Sequence, residues 1–281
     1  MAAVNPLQFV SRRGVTSFLA GLVLLLALVL FRGPGLIAGQ IGAVGFTFVV
    51  LFGLSLSHLL LQTVVWHSAL RPARVSFLTL VKRKLAGEAM NQLSHLVAMR
   101  GDTLNIQLLR SRFQIDAADS VVFSRGIRNF PLLILMMFGS SVAKLPLSPA
   151  VRGGWEETER ALRKFLRERK TVFYQSIFLS VVGQGLVFVE ILLIGKAILP
   201  DLTAAHAVIL CLLTPLVKML AFPLPGALGV LEGSYALVLG LAFGGIGCAA
   251  GFSIMLTRRL VSLGWLVIGL GVQGNPFRTT R

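Results

Sequence analysis

Two adjacent arginines, Arg258 and Arg259, lie near the middle of the apolar stretch from Cys248 to Val272. A charged side chain at the centre of a membrane helix costs roughly 2.5–3.5 kcal/mol, so each arginine needs compensation. Glu232 is the acid nearest to them in the sequence, and a buried Glu–Arg pair would neutralise both charges. Such a pair either fixes two helices relative to each other or, if the guanidinium is exchangeable, binds a phosphate group through its planar fork.

The local conformation around the two arginines has two interpretations. If the cluster Gly244, Gly245 and Gly247 forms a turn, the chain that follows is one helix with both arginines buried. If the chain instead breaks at the arginines, they lie in a polar loop between two short helices. The glycine cluster favours the buried helix, because glycine marks a turn better than arginine does.

Other charges within the apolar segments have simpler explanations. Glu190 and Lys196 stand near the far end of a long apolar segment and can reach the membrane interface. Lys218 can extend its ammonium group to the interface in the same way. We keep Lys218 among the candidate residues for lipid contact.

Two glycine- or proline-rich polar stretches, residues 87–102 and 223–233, interrupt the apolar sequence, and each carries an acid. Non-helical backbone is tolerated at membrane depth only where protein or a water-filled cavity satisfies its polar groups. Two such interruptions predict one shared cavity, as in transporters with broken helices. The candidate residues for lipid binding and translocation are Glu88, Asn91, Arg100, Asp102, Lys218, Pro225, Gly226, Gly229, Glu232, Arg258 and Arg259.

The composition is that of a polytopic membrane protein. Of the 281 residues, 55% are hydrophobic and 14% are charged, whereas a soluble domain is about 25% charged. We predict an all-α bundle of transmembrane helices with two broken or re-entrant elements, forming a single integral membrane domain over residues 1–281. Apolar runs that could cross about 30 Å of hydrocarbon are Val15–Phe31, Ile41–Trp66, Val172–Leu199 and Cys248–Val272, with a shorter run at Ala204–Phe222.

The net charge of +16 comes from 27 basic residues against 11 acids. The basic residues stand between the apolar runs, where they anchor the cytoplasmic side beside anionic headgroups, so we expect no nucleic-acid partner. Residues 145–171 are predicted to form an amphipathic cytoplasmic connector, with Glu159 and Arg163 at the spacing of an ion pair. The run Phe130–Val142, about 13 residues long, either dips into the membrane and returns or is compensated by another partial crossing.

No catalytic or cofactor-binding pattern is present in the sequence. The four histidines have no metal-ligand spacing, and no serine or cysteine nucleophile motif or Walker A motif occurs. Cys211 and Cys248 both lie in apolar segments, which is typical of packing residues. We therefore predict no enzymatic activity, no cofactor and no metal, and no transport powered by nucleotide hydrolysis in this chain.

The segment Leu224–Gly233, with the sequence LPGALGVLEG, followed by the arginine pair, resembles a flippase-like family of integral membrane proteins. That family is related to the transmembrane region of lysylphosphatidylglycerol synthase, and the chain looks most like its hopanoid-biosynthesis-associated subgroup. The likeness extends to Gly87–Asn91. The chain departs from the family where His95 takes the place of a proline, and its connection from Phe130 to Trp155 is shorter than usual.

The resemblance implies a multi-pass protein of the bacterial inner membrane that moves a lipid between leaflets through a cavity built from re-entrant helices. The lipid would be an anionic phospholipid, a hopanoid or another lipid. Arg258 or Arg259 would hold an anionic headgroup, and Glu232 would orient or release it. The alternative function is a non-transporting accessory subunit of a lipid-modifying enzyme. The expected partners are membrane lipids, with a lipid-biosynthesis enzyme or a second copy of the chain as protein partners.

Overall fold

A computed structural model describes residues 23, 30, 33–71, 75–93, 118–128, 149–220, 227 and 229–272. Within these ranges the regular secondary structure is helical and no strand occurs, which confirms the all-α prediction. The described helices are α1 (Pro34–Val44), α2 (Thr47–Leu70), α3 (Phe77–Leu93), α4 (Ala118–Arg128), α5 (Pro149–Glu168), α6 (Lys170–Ile198), α7 (Ala204–Leu220) and α8 (Val230–Val272).

Three of the described helices, α2, α6 and α8, are long and apolar enough to cross a membrane. At about 1.5 Å per residue, the 24 residues of α2 extend about 36 Å and the 29 residues of α6 about 44 Å. Both lengths exceed the roughly 30 Å of bilayer hydrocarbon. Helices α1 and α7 are apolar over most of their length but are shorter. The chain is therefore a membrane protein with several apolar helices.

The predicted spans agree with the helices at α6 and α7, and the run Ile41–Trp66 contains most of α2, but the beginning of that run is wrong. The run Ile41–Trp66 is not a single helix, because a turn at Gly45 and Phe46 separates α1 from α2. Gly45 has φ 49°, a left-handed conformation that glycine adopts without steric cost, and its N–H donates to the carbonyl of Gly42. The predicted first span at residues 15–31 lies almost wholly outside the described residues, as does the short run at 130–142.

The first predicted interruption is also wrong where the structure describes it. Residues 87–93, which include Glu88 and Asn91, continue α3 as a helix. A single glycine costs a helix only about 1 kcal/mol, and the neighbouring Ala89 and Met90 are strong helix formers, so Gly87 does not end the helix. The rest of that interruption, with His95, Arg100 and Asp102, lies outside the described residues.

Helix α8 turns back on itself at Gly244. This residue has φ 65° and ψ −147°, far from helical values, and divides α8 into residues 230–243 and 245–272. The two segments touch through their backbones, because a Cβ on Gly251 would lie 2.2 Å from the Tyr235 carbonyl oxygen, and one on Gly247 would lie 2.1 Å from that of Leu239. We call this element the α8 hairpin. The predicted glycine turn therefore forms, and Gly244 is the residue at which the chain reverses direction.

The second predicted interruption ends immediately before α8. Ala227 has φ 48° and Gly229 has φ 77°, and the helix begins at Val230. For alanine, the left-handed conformation costs about 1–2 kcal/mol, so surrounding contacts must hold it. Pro225 and Gly226 lie outside the described residues, and a re-entrant path for this segment stays a prediction.

The chain clusters into two compact units. The described residues of the first unit belong to Met1–Gly53, Leu85–Gly101 and Phe188–Arg281, and those of the second belong to Leu54–Lys84 and Asp102–Val187. Helices α2, α3 and α6 each contribute residues to both units. The prediction of a single membrane domain over residues 1–281 stays a prediction.

In the second unit, α4 packs against α5 through an aromatic core. The rings of Phe123 and Phe165 stack with their centroids 4.0 Å apart, and Leu162 is buried beside them. The opposite face of α5 is charged and exposed, and its Arg163 Nη2 lies 2.6 Å from Glu159 Oε1. Helix α5 is thus amphipathic, and its location on the cytoplasmic side stays a prediction.

Candidate functional site

Both arginines of the pair lie inside the second segment of the α8 hairpin, so the interpretation that places them in a loop is wrong. Consecutive residues of a helix point about 100° apart, and each arginine therefore meets a different carboxylate. Arg258 Nε lies 3.3 Å from Glu190 Oε1 on α6. Arg259 pairs with Glu232, in the first turn of α8, through Nε to Oε1 and through Nη2 to Oε2 at 3.2 Å.

The partner of Arg258 is a residue that sequence reasoning assigned to the interface. Glu190 is 8% exposed and lies within α6, so the expectation that it simply reaches the interface is wrong. The number of charges in the sequence could have identified Glu190 as the partner. Two arginines that point apart need two acids, and Glu190 and Glu232 are the acids of the apolar segments around them.

Arg258 belongs to a hydrogen-bond network that joins three helices. Its Nη1 donates to the Oη of Tyr235, 3.1 Å away, and Tyr235 is fully buried. The Tyr235 hydroxyl lies 2.7 Å from Thr214 Oγ1 and 3.1 Å from the carbonyl oxygen of Leu210, both on α7. Sequence reasoning missed Tyr235 and Thr214, whose roles depend on how α7 packs against α8. The network holds the Arg258 guanidinium between α6, α7 and both segments of the hairpin.

Arg259 contacts the segment of the chain at the beginning of α8. Besides Glu232, its Nη2 donates to the carbonyl oxygen of Ala227 at 3.3 Å. Gly229 supplies the carbonyl that accepts the first hydrogen bond of α8, from the N–H of Gly233 at 2.9 Å. Arg259 thus ties the beginning of α8, and the left-handed Ala227 before it, to the middle of the second hairpin segment.

The electrostatics of this region follow from its burial. The side chains of Arg258 and Glu190 are 14% and 10% exposed, and those of Arg259 and Glu232 are 18% and 0% exposed. Two guanidinium groups and two carboxylates sum to zero charge, so the pairs offset the cost of burying each ion. Removing one partner from a buried pair leaves an uncompensated charge and costs about 3–5 kcal/mol.

The remaining predicted site residues are placed as follows. Glu88 and Asn91 are helical positions on α3. Lys218 is exposed in the last turn of α7. Arg100, Asp102, Pro225 and Gly226 lie outside the described residues. The structure therefore brings together Gly229, Glu232, Arg258 and Arg259 of the predicted set, with Ala227, Glu190 and Tyr235 beside them.

The chemistry available in this region is anion binding. Within the part of the chain that the structure describes, no group of three histidine, cysteine, aspartate or glutamate side chains is arranged to hold a metal ion. A guanidinium held by a carboxylate can exchange that partner for a phosphate group, which offers the same planar pair of oxygen acceptors.

Residues 142–271 match the family described as Lysylphosphatidylglycerol synthase TM region. The matched part includes α5, α6, α7 and nearly all of α8, and with them both arginines and both carboxylate partners. Over these residues the chain is related to that family of membrane proteins. The match carries no information about hopanoid biosynthesis. No curated protein and no solved structure matches the chain.

Proposed function

We propose that this chain, through its relation to a lipid-associated membrane family, is a flippase-like protein of the bacterial inner membrane that moves an anionic phospholipid between the leaflets. In this proposal Arg259 binds the headgroup and Glu232 competes with it for the guanidinium. The observation that carries the proposal is the Arg259–Glu232 pair, buried within a membrane helix and attached to an interrupted segment at Ala227.

Arg259 suits an exchangeable site better than Arg258 does. Arg258 contacts Glu190 on α6 and also Tyr235, which in turn binds α7, so release of Arg258 would disturb several helices at once. The partners Glu232 and Ala227 of Arg259 stand close together in the sequence, at the beginning of α8. A movement of that segment would therefore break both of these contacts while the Arg258 network stays intact.

The position of Arg259 along the hairpin supports a site at mid-depth. Residues 245–272 extend about 42 Å, which is longer than the roughly 30 Å of hydrocarbon. Arg259 lies near the middle of that segment, and its contact with Glu232 places the beginning of α8 beside it. Transporters built from discontinuous helices bind anionic groups near the bilayer midplane, at helix N-termini whose dipoles favour negative charge.

The proposed exchange has a built-in means of release. A phosphate headgroup displaces the Glu232 carboxylate from the Arg259 fork and makes two charge-assisted hydrogen bonds in its place. The displaced Glu232 is then a buried carboxylate without its counter-charge, which is costly. Return of Glu232 to the guanidinium expels the headgroup, so competition keeps the lipid from binding too tightly to leave. A neutral lipid such as a hopanoid offers no anion for this exchange.

The accessory-subunit alternative is favoured by a different observation. Each arginine of the pair already has a carboxylate partner, as in a static bridge that only fixes helices. A static bridge predicts that uncharged replacements of both partners restore every property of the protein. The exchange proposal predicts that such a replacement restores folding alone.

Lipid translocation in proteoliposomes tests the two alternatives. Wild-type protein is reconstituted with a fluorescent phosphatidylglycerol, and the label that reaches the outer leaflet is destroyed by dithionite. We expect Glu232→Gln with Arg259→Gln to fold but to translocate about 10- to 100-fold more slowly, since charge-assisted hydrogen bonds contribute about 1.5–3 kcal/mol. The matched control, Glu190→Gln with Arg258→Gln, should fold and retain translocation.

Two outcomes would overturn this proposal. Full translocation by the Glu232→Gln and Arg259→Gln variant would show that the pair is only structural. Absence of translocation by the wild-type protein, together with a bulk-membrane profile of co-purifying lipids in mass spectrometry, would favour the accessory subunit instead. Enrichment of one anionic lipid class would identify the substrate.

A further inference from the structure

A second cluster of buried polar groups lies in the second unit, between α2 and α6. Among the described residues, the side-chain nitrogen and oxygen of Gln62, the indole nitrogen of Trp66 and the hydroxyls of Ser176 and Ser180 are buried and have no hydrogen-bond partner. Each of these four residues is at most 2% exposed. We call this set the α2–α6 seam.

Two contacts between α2 and α6 fix the geometry of the seam. His58 Nδ1 lies 3.0 Å from the carbonyl oxygen of Gly183, and Arg169 Nη1, just before α6, donates to the carbonyl of Ala69 at 3.1 Å. As the residue number rises along α2 it falls along α6, so the two helices run antiparallel. They remain in contact over about 16 Å, from His58 to Ala69.

The four polar side chains lie on the facing sides of these helices. Gln62 and Trp66 follow His58 at intervals of four residues, which places them on the same helix face. Ser180 and Ser176 precede Gly183 by three and seven residues and share its face in the same way. A Cβ on Gly183 would lie 3.2 Å from His58 Nδ1 and 3.7 Å from Gln62 Nε2, so glycine permits the close approach of the two helices.

Other buried hydroxyls in the same unit have partners, which sets the two serines apart. Thr63, next to Gln62, donates to the Leu59 carbonyl at 2.8 Å, within its own helix. On α4, Ser120 donates to the Ala69 carbonyl at 2.9 Å, and Ser124 to that of Val121 at 3.0 Å. Buried polar groups in native proteins are nearly always hydrogen-bonded, whereas these four residues of one interhelical strip have no partner among the described residues, which points to a bound guest.

The chemistry of the seam selects a neutral partner. An amide, an indole N–H and two hydroxyls offer both donors and acceptors and carry no formal charge. An anionic headgroup would lack a counter-charge there, whereas a hydroxyl group, which donates and accepts at once, matches the set. Both helices are long and apolar enough to cross the membrane, so the seam lies where bulk water is excluded.

We propose that the α2–α6 seam is a binding site for neutral hydroxyl groups, supplied either by water or by the hydroxyl-bearing headgroup of a lipid. The seam shares no residue with the Arg259 site, so this proposal does not depend on lipid translocation. It adds a neutral polar site in the second unit to the charged site in the first.

The emission of Trp66 provides a direct test. The full chain carries three tryptophans, and Trp155→Phe with Trp265→Phe leaves Trp66 as the single reporter. The protein is placed in nanodiscs of phosphatidylcholine alone or of phosphatidylcholine with diacylglycerol, an uncharged lipid that carries a free hydroxyl. Because a hydrogen-bonded indole in polar surroundings emits at longer wavelength than one in apolar surroundings, Gln62→Leu should shift the emission to shorter wavelength.

The controls separate the sources of the hydroxyl groups and guard against misfolding. Thr63→Val, which removes a hydroxyl bound within its own helix, should leave the emission unchanged. A shift on Gln62→Leu in both kinds of nanodisc identifies water, and a shift only with diacylglycerol identifies the lipid. If Gln62→Leu does not elute as a monodisperse protein, Ser176→Ala with Ser180→Ala should give the same shift. Identical emission before and after the seam substitutions, in both kinds of nanodisc, would overturn the proposal.

Discussion

The arginine pair of the first unit and the α2–α6 seam of the second bury polar groups in opposite ways. In the first unit, each arginine of the α8 pair faces a carboxylate within hydrogen-bonding distance. In the second unit, the α2–α6 seam buries an amide, an indole and two hydroxyls that have no partner within the described part of the chain. An uncompensated ion costs far more than an unsatisfied neutral group, for which the cost is about 1–3 kcal/mol. Buried charges must therefore be paired within the protein, whereas buried neutral groups can form hydrogen bonds to a bound molecule.

The largest effect that tests this comparison is expected from Glu190→Gln. The substitution leaves the Arg258 guanidinium buried without its carboxylate, and we expect it to lower the free energy of unfolding by about 3–5 kcal/mol. Thermal unfolding of the detergent-purified protein, followed by size-exclusion chromatography, measures the loss. Addition of Arg258→Gln should recover most of it. If Glu190→Gln were no more harmful than a substitution in the seam, the distinction between charged and neutral burial would fail.

A smaller loss is expected from Gly251→Ala in the α8 hairpin, which brings the partners of the first unit together. The added methyl group would lie 2.2 Å from the Tyr235 carbonyl oxygen, so the two segments must separate. Overpacking of this kind costs about 1–3 kcal/mol. Gly233→Ala, on the same helix with no atom within 4 Å of its Cβ, is the matched control and should be neutral or stabilising. Equal melting temperatures for the two variants would contradict the close backbone contact.

In the second unit, Ser180→Ala should lower stability by only about 0.5–1.5 kcal/mol, the net value of one hydrogen bond to a hydroxyl group in the seam. The melting temperature in nanodiscs is the appropriate measurement. If no molecule is bound in the seam, the same substitution should raise the melting temperature, since removal of an unsatisfied hydroxyl stabilises a protein. The sign of the change therefore separates the two cases more clearly than its size.

No loss of stability is expected from Arg160→Cys on the exposed face of α5, which makes it suitable for testing topology. In a background with Cys211→Ala and Cys248→Ala, this cysteine should resist an impermeant thiol reagent in intact cells, because basic connectors stay in the cytoplasm. A permeant reagent should label it fully. Efficient labelling from outside the cell would place the charged face of the second unit on the other side of the membrane.

Sequence alone predicted the features that depend on local chemistry. The all-α class follows from the long apolar runs, and the helix around Arg258 follows from the glycines that precede it. The break expected at Gly87 failed because the helix formers around it outweigh one glycine, and the span expected from Ile41 begins at Thr47 instead because Gly45 forms a turn. The effect of Gly87 was overestimated, whereas Gly45 was overlooked within an apolar run.

The pairing of charges was less accessible to sequence reasoning. Glu232 and Arg259 could be associated because they flank the same predicted turn, whereas Glu190 lies on another helix and meets Arg258 only after α6 packs beside α8. The α2–α6 seam was missed for the same reason. A glutamine and two serines in apolar runs are unremarkable until the helix register places them opposite each other.

The turn at Gly244 also bears on how the arginines enter the membrane during synthesis. Glu232 precedes Arg259 by 27 residues, within the same hairpin, so the carboxylate accompanies the guanidinium when the two segments insert together. Glu190 precedes Arg258 by 68 residues on a separate helix, so Arg258 gains its partner only when α6 and α8 meet laterally. We therefore expect Arg259 to be neutralised when the hairpin inserts and Arg258 only when α6 and α8 associate.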